Sequence, residues 1–197
     1  MPKGIPLTEE MQEKRREEIF AASVHLFLKN GFNETSMREI AAAAGIGKST
    51  LYDYYETKDD ILVSYYQKEI EKTISLAKEV YVQDLKNREK LTRIMQNHLA
   101  YLLKNKKHFW RLSMEAQRLS AESQQKVQVK RYIYQDLLKQ IVEDGIQAGE
   151  FRSVNAHIVA RSILNLISIA AFTTRPTGTP EDMLDEILSM CFNGISA

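Results

Sequence analysis

The chain of 197 residues contains one cysteine, Cys191, which excludes a disulfide within the chain. A single cysteine is typical of proteins from reducing compartments, and we expect this one to be a small buried side chain near the last helix. Prolines and glycines are also few, four and eight respectively, and most lie near the ends or between segments with helical spacing. This scarcity favours long helices, and segments with strand-like alternation are nearly absent.

The sequence also lacks an uninterrupted apolar run of about 18 residues, the length that can span a bilayer. Its N-terminal segment is charged where a secretory signal would be apolar, so we expect a cytoplasmic protein without membrane contacts. The net charge of +1 neither favours nor excludes nucleic acid as a partner. The four histidines show no metal-ligand spacing, and no catalytic motif or cofactor loop occurs. The sequence therefore predicts no enzyme, no metal site and no cofactor.

Apolar residues recur at helical spacing along most of the chain and predict an all-α protein. Thr35 is expected to cap the second helix, and Gly31 and Gly149 to end the first and the seventh. The first three helices would form a domain of residues 1–56, and the remainder a helical bundle of residues 57–197. The nine predicted helices cover approximately residues 8–30, 36–43, 47–54, 58 to beyond 74, 88 to beyond 102, 106–118, 121–148, 154–174 and 180–193.

The segment AGIGKSTLYDYY, residues 44–55, contains the letters GKS, which also end a phosphate-binding loop. Such a loop needs a preceding strand and a glycine five residues before the GK pair. Position 42 is alanine, and residues 36–44 have a helical composition, so a nucleotide site is disfavoured. The two short helices joined by AAGIG instead match a helix-turn-helix, whose second helix enters the DNA major groove. Gly47, Ser49 and Thr50 would keep its leading edge narrow.

The stretch from Ile19 to Leu62 resembles the DNA-binding domain of the TetR family of transcriptional regulators. Two positions depart from the family pattern: Gly47 stands where a serine-like cap is common, and Tyr55 where phenylalanine is usual. The remaining helix count and chain length also resemble the all-helical layout of the family. Sixteen positions match in one register, namely Ala22, Leu26, Phe27, Gly31, Phe32, Thr35, Ile40, Ala41, Ala44, Gly45, Thr50, Leu51, Tyr52, Tyr54, Lys58 and Leu62.

The resemblance and the small polar start of the third helix together predict a DNA-contacting surface. Residues on the third helix would approach base edges, and residues around it would contact phosphates, which lend affinity without sequence preference. Residues 1–58 carry eight Lys or Arg against nine Asp or Glu, so the predicted domain lacks a basic excess. We expect its acidic residues to lie away from the phosphates. The predicted contacts are Lys48, Ser49, Thr50 and Tyr52 to bases, and Thr35, Ser36, Arg38, Tyr54 and Lys58 around them.

The resemblance further implies a small-molecule pocket among the central helices of the C-terminal domain. That region is rich in aromatic and methionine side chains, which could line a pocket or simply form core. His98, Arg111 or Gln117 could supply polar anchors in an otherwise apolar site. The predicted pocket residues are Met95, His98, Phe109, Trp110, Met114, Gln117 and Tyr132.

The last two predicted helices carry apolar stripes at the spacing i, i+3, i+4, i+7. The helix at residues 154–174 is apolar on more than one face, which indicates burial either in its own core or against a second subunit. In the family that the chain resembles, the last two helices form a four-helix dimer interface, which favours the second option. The predicted interface residues are Ile163, Leu166, Ile167, Ala170, Leu184, Ile187, Leu188 and Cys191.

These features predict a homodimeric, ligand-responsive transcriptional repressor that binds an inverted-repeat operator and is released by a small-molecule effector. The effector would bias the fourth helix and so change the separation of the two DNA-reading heads. One alternative is a helical ligand-binding or interaction protein without DNA binding, which the neutral N-terminal domain keeps open. A weaker alternative is an enzyme built on the same bundle.

Overall fold

The computed structural model describes residues 8–106 and 116–195, in which the secondary structure consists of eight helices. The prediction of an all-α protein is confirmed. The predicted helix at residues 106–118 lies largely outside the described residues. Within the described ranges, no helix is both long and apolar enough to cross a membrane. The helices are α1 (Glu9–Asn30), α2 (Met37–Ala43), α3 (Lys48–Tyr52), α4 (Lys58–Tyr81), α5 (Asn87–Lys104), α6 (Ala121–Gln147), α7 (Ala156–Phe172) and α8 (Pro180–Ile195).

A capping box fixes the start of α2. The hydroxyl of Ser36 accepts a hydrogen bond from the backbone N–H of Glu39, and the Glu39 carboxylate accepts one from the N–H of Ser36. These hydrogen bonds from Ser36 lower the pKa of Glu39. The prediction that Thr35 caps α2 was therefore wrong by one residue. Thr35 is only 1% exposed, and its hydroxyl donates to the carbonyl of Gly31 at 2.7 Å.

The described residues fall into two compact units. The N-terminal unit extends to Tyr66 and includes the stretch that ends at Lys126, and the C-terminal unit contains the rest of the chain from Gln67 onward. In the N-terminal unit, α2 packs against both α1 and α3. In the C-terminal unit, α5, α7 and α8 pack against one another. The proposed division into domains 1–56 and 57–197 stays a prediction.

The core of the C-terminal unit is built from the apolar stripes of several helices. The start of α5 is fixed by Glu150, whose carboxylate accepts hydrogen bonds from the backbone N–H groups of Asn87 and Arg88. Burial raises the pKa of Glu150, but these hydrogen bonds outweigh it and lower the pKa overall. Fully buried members of the core include Leu91 and Met95 of α5, Leu138, Ile141 and Val142 of α6, and Ile167 and Ala171 of α7.

Gly145 lies where α6 passes close to Phe151. A Cβ at this position would lie 2.3 Å from the Phe151 ring and 3.2 Å from the Cβ of Asn87. Phe151 is buried and stacks on Phe192 at 6.4 Å between ring centroids, so its ring has little room to move. We expect Gly145→Ala to lower the free energy of unfolding by about 1–3 kcal/mol, measured as a lower Tm.

The matched control for this prediction is Gly194→Ala in α8. A Cβ at Gly194 would meet no atom within 4 Å, and alanine favours helix over glycine by about 1 kcal/mol. The control should melt at or slightly above the temperature of the unmodified protein. Equal Tm values for the two variants would contradict the close approach of Phe151.

Candidate nucleic-acid interface and ligand cavity

A tight turn joins α2 to α3. Gly45 has a φ of +66°, in the left-handed region that glycine adopts without strain. Its N–H donates to the carbonyl of Ala42 at 3.2 Å, and the N–H of Ile46 donates to the carbonyl of Ala41 at 3.0 Å. Fully buried apolar side chains anchor the two helices to the core of the N-terminal unit, Ile40 from α2 and Leu51 from α3. The result is a helix-turn-helix with α3 as its second helix.

The outer face of α3 presents polar side chains to solvent. Lys48 and Ser49 are exposed, and Tyr52 is 43% exposed. The ammonium of Lys48 lies 5.6 Å from the centroid of the Tyr52 ring, which places a cation and an aromatic face side by side. No side chain caps the start of α3 at Gly47. These groups are free to contact a nucleic acid.

Other predicted DNA contacts are engaged within the N-terminal unit. The Lys58 ammonium donates to the carbonyl of Phe32 at 2.7 Å and to that of Asn33 at 3.2 Å, and it lies 4.8 Å from the centroid of the Phe32 ring. The hydroxyls of Thr35 and Ser36 also bond to protein atoms. Lys58 therefore connects the start of α4 to the segment after α1. No local sequence pattern predicts this role, because the partners of Lys58 lie 25 and 26 residues away.

Charges at the start of α1 pair along the helix itself. Arg15 lies 3.5 Å from Glu18, and Arg16 lies 3.9 Å from Glu13. Exposed pairs of this kind contribute about 0–1 kcal/mol to stability, but they offset part of the acidic charge of the N-terminal unit. The expectation that these acidic residues avoid phosphates stays a prediction.

The C-terminal unit contains a partly open cavity of about 260 Å³ among α4, α5, α6 and α7. Nine of the twelve residues around it carry a hydrogen-bonding side chain, the exceptions being Ile70, Leu102 and Leu164, but more of the surface that faces the space is apolar than polar. Glu69 and Tyr134 are among the nine. Neither in this cavity nor elsewhere among the described residues do three His, Cys, Asp or Glu side chains lie close enough together to hold a metal ion.

Two hydrogen-bonded pairs of polar side chains line the cavity. The hydroxyl of Tyr101 donates to the carboxylate of Glu69, whose other oxygen lies 2.7 Å from the ammonium of Lys72. The hydroxyl of Tyr134 lies 3.2 Å from Nδ1 of His98. Burial lowers the pKa of His98 to about 4 and raises the pKa of Tyr134, so both side chains are neutral at pH 7. The cavity thus combines a buried, paired carboxylate with a neutral imidazole.

Of the predicted pocket residues that the structure describes, His98 alone lines this cavity. Met95 is fully buried in the core, and Tyr132 is exposed on α6. Gln117 is exposed and belongs to the N-terminal unit. The sequence did not identify Glu69 as a cavity residue. The fourth helix was predicted from the spacing of its apolar residues, and that pattern carries no information about its charged side chains. The other predicted pocket residues, Phe109, Trp110 and Met114, lie outside the described residues.

The predicted dimer-interface residues are mostly internal to this chain. Five of them are buried in the core of the C-terminal unit and three are partly exposed, and the predicted interface stays a prediction. Cys191, expected to be buried, is one of the three, and its partial burial raises the pKa of the thiol. The exposed apolar side chains of α7 and α8 are instead Ile158, Ile169 and Met190. The five buried residues are Ile163, Ile167, Ala170, Leu184 and Leu188.

An exposed α3 that follows a glycine turn, together with a second helical unit that contains a cavity lined by polar and apolar side chains, is typical of a helix-turn-helix regulator with a ligand-binding domain. The family described as "Bacterial regulatory proteins, tetR family" matches residues 19–65, and the one described as "Tetracyclin repressor-like, C-terminal domain" matches residues 84–195. The chain therefore belongs to the TetR family of DNA-binding transcriptional regulators. It is a regulator with a ligand-binding C-terminal domain, and not an enzyme.

Individual relatives agree with this assignment. The chain is 27% identical over 144 residues to the "Fatty acid metabolism regulator protein" of Bacillus subtilis, covering 72% of this chain and 74% of that protein. The structure of FadR from Bacillus subtilis in complex with stearoyl-CoA has a TM-score of 0.77 at 22% identity, covering 91% and 98% of the two chains. AibR, solved with isovaleryl coenzyme A and operator DNA, has a TM-score of 0.70 at 23% identity, covering 90% and 98%.

Proposed function

We propose that this protein is a homodimeric transcriptional repressor that acts in the cytoplasm, binds an inverted-repeat operator through α3, and is released by a small-molecule effector. The observation that carries the proposal is the exposed polar face of α3, held by a helix-turn-helix in a TetR-family chain. A two-fold dimer presents two copies of α3 to one duplex, so half-sites should lie about 34–36 Å apart. Selection of genomic fragments by the purified protein, followed by footprinting, tests this geometry.

Within this proposal, Lys48, Ser49, Thr50 and Tyr52 contact base edges. Lys48→Met should weaken operator binding by about 5- to 150-fold, the equivalent of 1–3 kcal/mol for a specific base contact, while leaving Tm unchanged because the side chain is exposed. Lys78→Met is the matched control, since Lys78 is exposed in the last turn of α4 and belongs to the C-terminal unit. Titration of labelled operator against both variants measures the difference.

An equal loss of operator affinity in the two variants would contradict the proposal that α3 is the helix that contacts the bases. If no genomic fragment is retained at all, the alternative of a helical ligand-binding protein without DNA binding takes its place. The lack of a basic excess in residues 1–58 is the observation that supports this alternative.

The dimer is proposed to form through the outer faces of α7 and α8. Ile158, Leu166 and Ile169 share one face of α7, and Met183, Ile187 and Met190 share one face of α8, at helical spacings. Ile158, Ile169 and Met190 are exposed, and the other three are half-buried. The two helices pack against each other, and apolar side chains exposed on both can be covered by a second copy.

Coenzyme A thioesters are proposed as the effector class. Support comes from the relatives, one named for fatty acid metabolism and two solved with acyl-coenzyme A, and from a cavity that α4 helps to line. Because α4 is one continuous helix from Lys58 to Tyr81, an effector that contacts Glu69 or Thr73 acts on the helix whose first residue is tied near α2. Release of operator DNA by coenzyme A thioesters, with free coenzyme A as the control, tests the class.

A further inference from the structure

We propose that the nucleotide end of a coenzyme A thioester binds in an open surface recess between α6 and α7, next to the cavity that would receive the acyl group. This inference rests on coenzyme A thioesters as the proposed effector class and specifies where their shared part binds. All residues of the recess belong to the C-terminal unit. They are Gln128, Tyr132, Gln135 and Asp136 of α6 and His157 and Arg161 of α7.

The recess and the cavity lie side by side, because Gln135 lines both of them. Arg131 lines the cavity and is exposed to solvent. Since the cavity is partly open, a ligand whose acyl group lies inside it can continue past Arg131 and Gln135 into the recess. Four residues of α6 follow the spacing i, i+3, i+4, i+7 and so share one face of the helix, namely Gln128, Arg131, Tyr132 and Gln135.

The two spaces suit different ends of such a ligand. More of the surface that faces the cavity is apolar than polar, which suits an acyl group. The recess instead combines a guanidinium, an aromatic ring and amide side chains at the protein surface. Coenzyme A carries a diphosphate and a further phosphate on its ribose, and a guanidinium can donate two parallel hydrogen bonds to one phosphate.

Two arginines are available to bind these phosphates. Arg131 and Arg161 are both exposed, and within the part of the chain that the structure describes neither guanidinium makes an ion pair or a hydrogen bond. Asp136 also lines the recess and offsets part of their positive charge. A second recess, between α7 and α8, is lined among the described residues by three acidic side chains and no basic one, so it would repel a phosphate.

Tyr132 provides a surface for the adenine. Its side chain is 49% exposed and lines the recess beside the amides of Gln128 and Gln135. Purine bases stack on aromatic side chains, and amides can donate to or accept from the polar edge of a base. The recess therefore offers a cation for the phosphates and an aromatic ring for the base.

The test measures binding by titration calorimetry. The coenzyme A ligands are free coenzyme A and the two thioesters bound in the solved relatives, isovaleryl-CoA and stearoyl-CoA. The isovaleryl thioester of N-acetylcysteamine, which lacks the nucleotide, is the comparison ligand. Arg161→Met and Arg131→Met should each weaken binding of all three coenzyme A ligands by about 3- to 10-fold relative to the comparison ligand. The factor should not depend on the acyl group, because the change affects the shared arm.

A variant of opposite sign tests the role of charge. Asp136→Asn removes a carboxylate from the recess and should tighten binding of the coenzyme A ligands by about two- to threefold. Both effects should shrink at high salt, which screens exposed charges. Lys78→Met is the matched control, since it removes an exposed positive charge of the same unit that lines neither space.

Two variants of Tyr132 test the stacking. Tyr132→Leu removes the aromatic ring and should weaken binding of all three coenzyme A ligands. Tyr132→Phe keeps the ring and should lose less affinity than Tyr132→Leu. Equal losses in the two variants would overturn the stacking on this ring.

The outcomes separate this proposal from the effector class. If thioesters release operator DNA but both arginine variants bind them as the Lys78→Met control does, the recess is not the nucleotide site and the class stands. An equal loss for the thioester without a nucleotide, or a monomeric Arg161→Met in sedimentation, also overturns the assignment. If neither thioester binds at all, the effector class is wrong, and the nucleotide site with it.

Discussion

Replacing Ile167 with glutamate is expected to unfold the C-terminal unit rather than to separate two subunits. Ile167 is 0% exposed and lies in the hydrophobic core, where a carboxylate would be buried without a partner. An uncompensated buried charge costs about 3–5 kcal/mol, a large part of the stability of most domains. The Tm measured by circular dichroism should fall by about 10 °C or more.

The matched variant is Ile169→Glu, two residues further along α7. Ile169 is 55% exposed, so the glutamate stays hydrated, and Tm should change by little beyond the loss of any dimer contact. If the proposed interface is correct, this variant should sediment as a monomer at micromolar concentration and lose operator binding. Wild-type stability of Ile167→Glu, or an unchanged dimer in Ile169→Glu, would contradict the core or the interface respectively.

This pair of residues shows why the sequence alone does not identify which apolar face of α7 is buried within the chain. Ile163, Ile167 and Ala170 share a helical stripe, but Ile158 and Ile169 share another on the same helix. Periodicity identifies apolar stripes without saying which of them the rest of the chain covers. In the structure, α5 and α8 cover the first stripe and leave the second exposed. For a helix that is apolar on several faces, the buried face can therefore be identified only once the helices that pack against it are known.

The helix-turn-helix could be predicted because its determinants are local. Gly45, the buried Ile40 and Leu51, and the polar start of α3 all lie within one short stretch of chain. The error at the start of α2 was also local, since Thr35 and Ser36 can both cap a helix. Ser36 does so because it stands three residues before Glu39 and can complete a capping box.

The cavity of the C-terminal unit could not be predicted in the same way, because its polar residues are far apart in sequence. The Tyr101 and Glu69 pair spans 32 residues, and the Tyr134 and His98 pair spans 36. Each residue is an ordinary polar side chain on its own helix, and only the packing of α4, α5 and α6 brings them together. His98 was predicted through its position among aromatic residues, whereas nothing in the pattern of α4 distinguished Glu69 from its exposed neighbours.

Replacing Lys58 with methionine is expected to weaken operator binding about tenfold without changing its salt dependence. Methionine removes the charged donor for the carbonyls of Phe32 and Asn33, and a hydrogen bond to a charged group contributes about 1.5–3 kcal/mol. The segment between α1 and α2 would then be held less firmly. The helix-turn-helix follows this segment directly, so it would be held less firmly as well. The Tm of the N-terminal unit should fall, and affinity for specific and nonspecific DNA should fall together.

The salt dependence distinguishes this role from the phosphate contact that the sequence suggested for Lys58. A lysine that neutralises a phosphate contributes about 0.9 to the slope of log affinity against log salt, and its loss would reduce the slope by that amount. A lysine whose ammonium is directed at backbone carbonyls leaves the slope unchanged. Lys58→Arg keeps the charge, but its planar fork does not reproduce a compact ammonium over the Phe32 ring, so it should restore affinity only in part. An unchanged Tm in Lys58→Met, combined with a slope reduced by about 0.9, would instead assign Lys58 to a phosphate.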